Sequence, residues 1–361
     1  LSGGMDSGTI TALASKELPY IKTFTCGFDL SSASGVELGF DEREKAEAMS
    51  ALFKTEHYEM VLKAGDMERC LPKYSWHLEE PRVGQSYPNY YAAGLAGKFV
   101  KVVLSGTGGD ELFGGYPWRY YRAVVNDDFD HYIDQYYTYW QRLISNKDIQ
   151  RVFAPVWEEV KDVWTRDIFR DVFPEFKEAP ETPEAYINHS LYFESKTFLH
   201  GLLVVEDKLS MAHGLETRVP FLDNDLVDFA MKCPVALKLN NLAEVSRINE
   251  NEPGNKRYQF FQKTNDGKQI LRNVMNRYIP KEITDAPKQG FSSPDASWFK
   301  GQSMGYVQRT LMGTETELYN YLDRESVHGL VSEHLSGDQN RRLLIWSLLN
   351  TTHFIEEYCG N

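Results

Sequence analysis

Residues 1–8 read LSGGMDSG, a run of small residues leading straight into a stretch in which Ile10, Leu13 and Ala14 recur at i, i+3 and i+4. Ser2, Gly3 and Gly4 make a tight turn, which can aim successive backbone N–H groups and the positive end of a helix over Thr9–Lys16 at a bound anion. Glycine is needed because a Cβ would hold a phosphate away from the backbone. Ser2 and Ser7 add hydroxyl donors, and Asp6 can hold the divalent cation that accompanies nucleotide phosphates. An isolated Ser-Gly-Gly is more often a plain helix-capping turn. The six-residue string SGGMDS, with its acid and second serine, is much rarer.

Moving along the chain from this turn, apolar and β-branched residues alternate over Tyr20–Phe28, which predicts a strand, and Asp41–Phe53 is amphipathic with an acidic start, which predicts a helix. His57–Leu62 is a short strand candidate, and Ala64–Leu78 and Tyr87–Phe99 read as helices. Val100–Leu104, ending in Ser105 and Gly106, has the apolar character of a buried parallel strand. The alternation predicts an α/β fold with a doubly wound, mainly parallel sheet over residues 1–125.

Beyond Pro117 the pattern changes. Asp130–Ile144, Glu184–Leu199, Val204–His213, Leu226–Met231, Lys268–Tyr278 and Gln339–Tyr358 all carry the helical period, with no convincing strand among them. Residues 126–361 are therefore expected to form a large helical layer of the same domain. The aromatic run Tyr136–Trp140 reads as interhelix packing rather than a stacking platform. Asn240–Asp266 lacks a clear period and reads as an exposed, mobile insertion.

The composition is that of a water-soluble globular chain: 361 residues, 42% hydrophobic and 25% charged, which excludes disorder and collagen-like repeats. With 39 Lys and Arg against 52 Asp and Glu, the net charge of -13 argues against nucleic acid or an anionic membrane as a partner. No apolar run approaches the roughly 18 residues that span a bilayer. Cys26, Cys70, Cys233 and Cys359 are scattered and form no Cys-x-x-Cys, so a reducing, cytoplasmic setting is expected.

Three further segments carry chemistry. LSGTGGDELFGGY, Leu104–Tyr116, leaves the carboxyl end of a strand, where ligands bind in open α/β sheets, and Asp110 is placed to share a magnesium ion with Asp6. The plain alternative for Asp110 is a helix N-cap. In Val205–Val227, Asp207, Lys208, Glu216, Arg218 and Asp223 stand among apolar residues and must pair or bind something, an ion pair of Arg218 with Glu216 or Asp223 being the simplest outcome. In APKQGFSSP, Ala286–Pro294, Lys288 lies on a loop between a proline and a glycine, from which it can reach phosphates.

SGGMDS resembles the pyrophosphate loop of the ATP pyrophosphatase superfamily. The four segments in this order resemble, more narrowly, the synthetase domain of glutamine-dependent (class B) asparagine synthetases and their amide-forming and lactam-forming relatives. Glu79–Pro81 (EEP), Gly267–Arg272 (GKQILR), Ile279–Pro280 and Arg341–Trp346 (RRLLIW) extend the resemblance over nearly the whole chain. It implies an adenine nucleotide α-hydrolase-like fold in which Ser2, Gly3, Gly4, Asp6 and Ser7 cradle the phosphates of ATP. It also implies that backbone around Leu1, Cys26, Ser105 and Gly106 holds adenosine, that Asp6 and Asp110 bind Mg2+, and that Lys208 and Lys288 stabilise charge on pyrophosphate and adenylate. The implied reaction activates aspartate as β-aspartyl-AMP, and ammonia then displaces AMP.

Thr107 departs from the resembled pattern, in which that position is often an acid or, in lactam-forming relatives, tyrosine. Threonine is no general base near pH 7, so deprotonation of ammonia falls to Glu216, Glu111 or a water. The departure keeps a different acceptor carboxylate open, with Arg82 and Tyr87 as candidates for holding it, and a non-catalytic nucleotide-binding paralogue is the rival from another class. A sulfur-transferring tRNA enzyme of the same superfamily would want a basic face and reactive cysteines. The resemblance further implies an N-terminal glutaminase domain as the source of ammonia. A parallel sheet would also want a strand ahead of Leu1, so the 361 residues are expected to be a synthetase half. Oligomeric state, a homodimer included, is left open.

Overall fold

The structure is a computed structural model that describes residues 1–173, 182–242, 266–286, 290, 292–313 and 316–360. Strand β1 (Lys22–Phe28) is rich in threonine and phenylalanine and pairs in parallel with β2 (Glu56–Leu62), in register from Lys22 opposite Glu56 to Phe28 opposite Leu62. The crossover between them is helix α2 (Arg43–Phe53), which ends on Lys54 in the left-handed region. Ahead of β1 lies α1 (Met5–Glu17), and after β2 come α3 (Ala64–Leu78) and α4 (Tyr87–Ala96). A second parallel pair is formed by β3 (Val102–Leu104) and β4 (Glu216–Arg218).

The α/β alternation and the parallel pairing match the sequence reading, but the extent of the sheet does not. Among the described residues there are two separate two-stranded sheets in a mainly helical molecule, and no continuous doubly wound sheet. The run expected to be a buried strand is paired over only three residues, and Val102 and Leu104 are 43% and 48% exposed. β4 corrects the expectation that the second half is free of strands. Its three residues Glu-Thr-Arg are polar and too few to display a period of two, so pairing with β3 rather than local pattern makes them a strand. The backbone at Leu1 runs beside β1: its amino nitrogen donates to the Phe24 carbonyl at 2.8 Å, and its carbonyl accepts from the Thr25 hydroxyl.

The C-terminal helices share one core with the first sheet. Phe28 and Leu62 belong to the same buried cluster as Leu71 and Tyr74 of α3, Trp298, Phe299, and Ile345 and Trp346 of the Arg342–Tyr358 helix. A second cluster is aromatic: Tyr132 and Tyr136 of the Phe129–Trp140 helix are fully buried against Phe169, Phe173 and Phe193. Tyr136 and Phe193 meet edge to face with centroids 5.6 Å apart, so this run packs helices together, as its spacing indicated. Residues 243–265 of the expected insertion lie outside the described residues. Among the described residues, no helix is long and apolar enough to cross a membrane.

Trp346 joins the two halves. It is wholly buried, its indole N–H donates to the Arg82 carbonyl at 2.8 Å, and its ring lies 5.5 Å from Tyr74 and 5.8 Å from Tyr87. Trp346→Ala is expected to destabilise the protein by about 3–5 kcal/mol, read as a lower urea midpoint. A loss below about 1 kcal/mol would contradict this packing role.

Candidate active site

Two loops meet in front of the sheets. In the first, the Ser2 N–H donates to Ser7 Oγ at 2.9 Å, the two serine hydroxyls lie 2.9 Å apart, and the Gly4 N–H donates to Ser2 Oγ at 3.1 Å. These bonds curl the turn tightly before α1 begins on Gly4 with no side-chain cap. The positive end of α1 therefore opens on this turn.

The second loop follows β3. The Ser105 N–H donates to the Arg218 carbonyl at 2.8 Å, extending the pairing with β4 by one bond. The chain then turns against the first loop, so closely that a Cβ on Gly106 would lie 2.8 Å from Ser7 N and one on Gly109 would lie 2.7 Å from Asp6 Oδ1. Any other residue at either position would push the loops apart. Asp110 sits inside the short helix α5 (Gly109–Phe113), whose N-cap is Gly108, so it does not act as the cap.

Asp6, in the first turn of α1, and Asp110, in the first turn of α5, converge on one ammonium. Lys268 Nζ lies 2.5 Å from Asp6 Oδ2 and also pairs with Asp110 Oδ1. Two carboxylates converging on one cation is a donor set that fits magnesium, which takes one or two carboxylates and completes its shell with phosphate and water. Among the described residues, no cluster of three or more His, Cys, Asp or Glu side chains is arranged to hold a metal, so Asp6 and Asp110 are the pair to consider.

On the other side of Ser105, the Thr107 hydroxyl lies 3.0 Å from Ser105 Oγ and donates to Glu206 Oε2 at 2.6 Å. Glu206 belongs to the Leu199–Met211 helix, and burial pushes its carboxyl above the usual range while the Thr107 and Ser105 hydroxyls pull it back. Sequence reading passed over this residue. The available signal was a carboxylate attached to the apolar run Gly201–Val205, where an acid needs a partner. Lys268 likewise shows no local signal beyond its place in the GKQILR segment.

The other expected site residues are distributed differently. Cys26 is buried in β1 and burial raises its thiol to about 12, with Asp66 and Asp41 adding to the effect, so its side chain is inert and only its backbone can serve a ligand. Lys208 is held at the end of α3, donating to the Leu78 carbonyl at 3.0 Å and to Glu79 at 2.7 Å, and its ammonium is not brought to Asp6 and Asp110. Glu216 pairs with Arg218 at 2.9 Å, both well exposed, and stands opposite Val102 at the start of β3 rather than beside Thr107. This is the simple ion pair weighed for Arg218, while Asp223 instead caps the Asn224–Lys232 helix. Glu111 is buried and accepts from the Tyr116 hydroxyl at 3.2 Å. Tyr87 is fully buried and donates to Asp295 at 3.1 Å, and Arg82 pairs with Glu80 at 3.1 Å. Lys288 lies outside the described residues.

The sequence profile described as asparagine synthase matches residues 1–356. The chain belongs to the asparagine synthase family. It is 26% identical to asparagine synthetase [glutamine-hydrolyzing] 1 of Bacillus subtilis (strain 168), over 97% of this chain and 54% of that protein. Asparagine synthetase [glutamine-hydrolyzing] 3 of the same organism is 24% identical over 92% of this chain and 50% of its own length. Amidase chyE of Penicillium rubens is 22% identical over 90% of this chain and 53% of its own length. The chain spans about half the length of the curated relatives it matches.

Proposed function

We propose that this member of the asparagine synthase family activates the side-chain carboxylate of aspartate with ATP, forming β-aspartyl-AMP and releasing pyrophosphate, and then amidates it with ammonia. The supporting observation is the convergence of Asp6 and Asp110, in the first turns of α1 and α5, on one cation position beside the uncapped start of α1. Ser2, Gly3, Gly4 and Ser7 line the phosphate turn, and backbone near Leu1, Cys26, Ser105 and Gly106 faces adenosine. Magnesium held by Asp6 and Asp110 would offset charge on the phosphates as pyrophosphate separates. Lys288 is assigned to the same charge, whereas Lys208, held by Glu79 and the Leu78 carbonyl, is left out of it. Glutamine is the proposed source of ammonia, through a glutaminase unit of the kind implied by the names of the Bacillus relatives.

Glu206 replaces Glu216 in this reading. Ammonia attacks the acyl carbon, the C–O bond to AMP breaks with its electron pair leaving on the phosphate, and a proton passes from nitrogen through the Thr107 hydroxyl to Glu206. A carboxylate raised by burial is a stronger base than an ordinary one, which suits this role. Thr107 therefore acts as a relay rather than as the base.

Aspartate labelled with 18O in its side chain tests the reading: one label should appear in AMP during turnover with Mg·ATP and ammonia. Label transfer from a different acid, with none from aspartate, would support a paralogue with another acceptor. Absence of AMP formation with every carboxylate would leave only nucleotide binding.

A further inference from the structure

We infer that Lys268 is a tethered counter-ion that competes with free divalent metal for Asp6 and Asp110, so that metal enters the site together with nucleotide rather than ahead of it. The inference rests on the proposed reading only in taking these two carboxylates as the metal pair.

Lys268 is 4% exposed, and its ammonium lies between carboxylates from the first turns of two different helices, α1 and α5. Its backbone is held there firmly. Lys268 has a φ of 54°, unfavourable for a side chain larger than glycine, and such a conformation persists only where the surroundings over-determine it. The Lys268 N–H donates to the Phe113 carbonyl at 3.0 Å, tying the residue to the helix that carries Asp110. On the preceding residue, the Gly267 N–H donates to Asp266 Oδ1 at 2.8 Å and the Gly267 carbonyl accepts from Arg272 Nε at 2.8 Å. Gly115 closes the opposite side, since a Cβ there would lie 2.7 Å from Lys268 Cε and against Asp110.

The charge balance gives this placement a consequence. Asp6, Asp110 and Lys268 taken together carry one more negative than positive charge, and the ammonium occupies the point at which both acids can reach a single cation. A free divalent ion must displace a cation that is tethered and therefore present at high effective concentration. Triphosphate changes the contest, because its oxygens offer the displaced ammonium a new anionic partner and offer the metal further ligands. Metal and nucleotide binding are then positively coupled, and by linkage each tightens the other by the same factor.

The test is Mn2+ binding to the protein, followed by electron paramagnetic resonance, with and without a non-hydrolysable ATP analogue. Lys268→Met should bind free Mn2+ at least about tenfold more tightly than the unsubstituted protein, and the extra affinity conferred by the analogue should shrink. Lys268→Arg, which keeps the charge, should show no such gain. Because the Met variant leaves two neighbouring carboxylates, buried Asp110 and half-buried Asp6, without the ammonium between them, it should melt earlier without metal and recover with Mn2+. Free Mn2+ affinity unchanged or weakened in Lys268→Met would overturn the inference, and so would a variant that fails to fold at every Mn2+ concentration. If the unsubstituted protein binds no Mn2+ even with the analogue, the assignment of Asp6 and Asp110 as metal ligands fails instead. No acceptor carboxylate or turnover is involved, so the identity of the acid substrate does not affect the outcome.

Discussion

Glu206→Gln is expected to leave adenylation standing while removing amide formation. The substitution preserves the shape of the side chain and its hydrogen bond with Thr107, which now lies 2.6 Å from the carboxylate, but the amide cannot accept a proton. Pyrophosphate release on mixing with Mg·ATP and aspartate should survive as a first-turnover burst, and ammonia-dependent turnover should fall by about 10²–10⁴-fold. Acidity supplies a second signature. Burial raises the Glu206 carboxyl, so the base form is lost as pH falls through a range above that of an ordinary glutamate. Turnover with ammonia should therefore rise with pH through that raised range, and the Gln variant should lose this limb. Full turnover in Glu206→Gln would remove the residue from proton transfer and return attention to a water.

Asp110→Asn is expected to fail at the earlier step. Replacing this carboxylate halves the acidic charge at the convergence with Asp6 and leaves Lys268 as the stronger occupant of what remains. Aspartate-dependent pyrophosphate release should drop by at least about 10²-fold, with a higher Mg2+ requirement. Thus the two variants should divide the reaction, Asp110→Asn blocking activation and Glu206→Gln blocking only the attack on the activated acid. Equal loss of pyrophosphate release in both would show that Glu206 serves the first step or the fold.

Much of the candidate site was legible because tight glycine loops write themselves into local sequence. Ser2–Ser7 and Leu104–Tyr116 need glycines and short polar side chains at fixed spacing, and the structure stacks these two loops against each other at Gly106 and Gly109. α3 was legible residue for residue, since its apolar face supplies Met67, Leu71, Tyr74 and Leu78 to the buried core. What escaped depends on partners distant in the chain. β4 is a strand only through its pairing with β3, more than a hundred residues earlier, and its local composition is polar. Glu206 gains meaning from Thr107, and Lys268 from Asp6, contacts across 99 and 262 residues. Glu216 looked better placed because its neighbours are apolar in sequence, whereas the short strand carries it to the exposed end of β3.

If the two stacked loops bring Mg·ATP to a carboxylate for adenylation, the protein forms an acyl-adenylate reversibly. Carboxylate-dependent exchange of labelled pyrophosphate into ATP tests it most directly, since exchange requires a reversible adenylate and needs no ammonia. Mg2+-dependent exchange with aspartate is expected, and it should disappear in Asp6→Asn. Absence of exchange with aspartate and every other carboxylate tried, or exchange undiminished in Asp6→Asn, would contradict it.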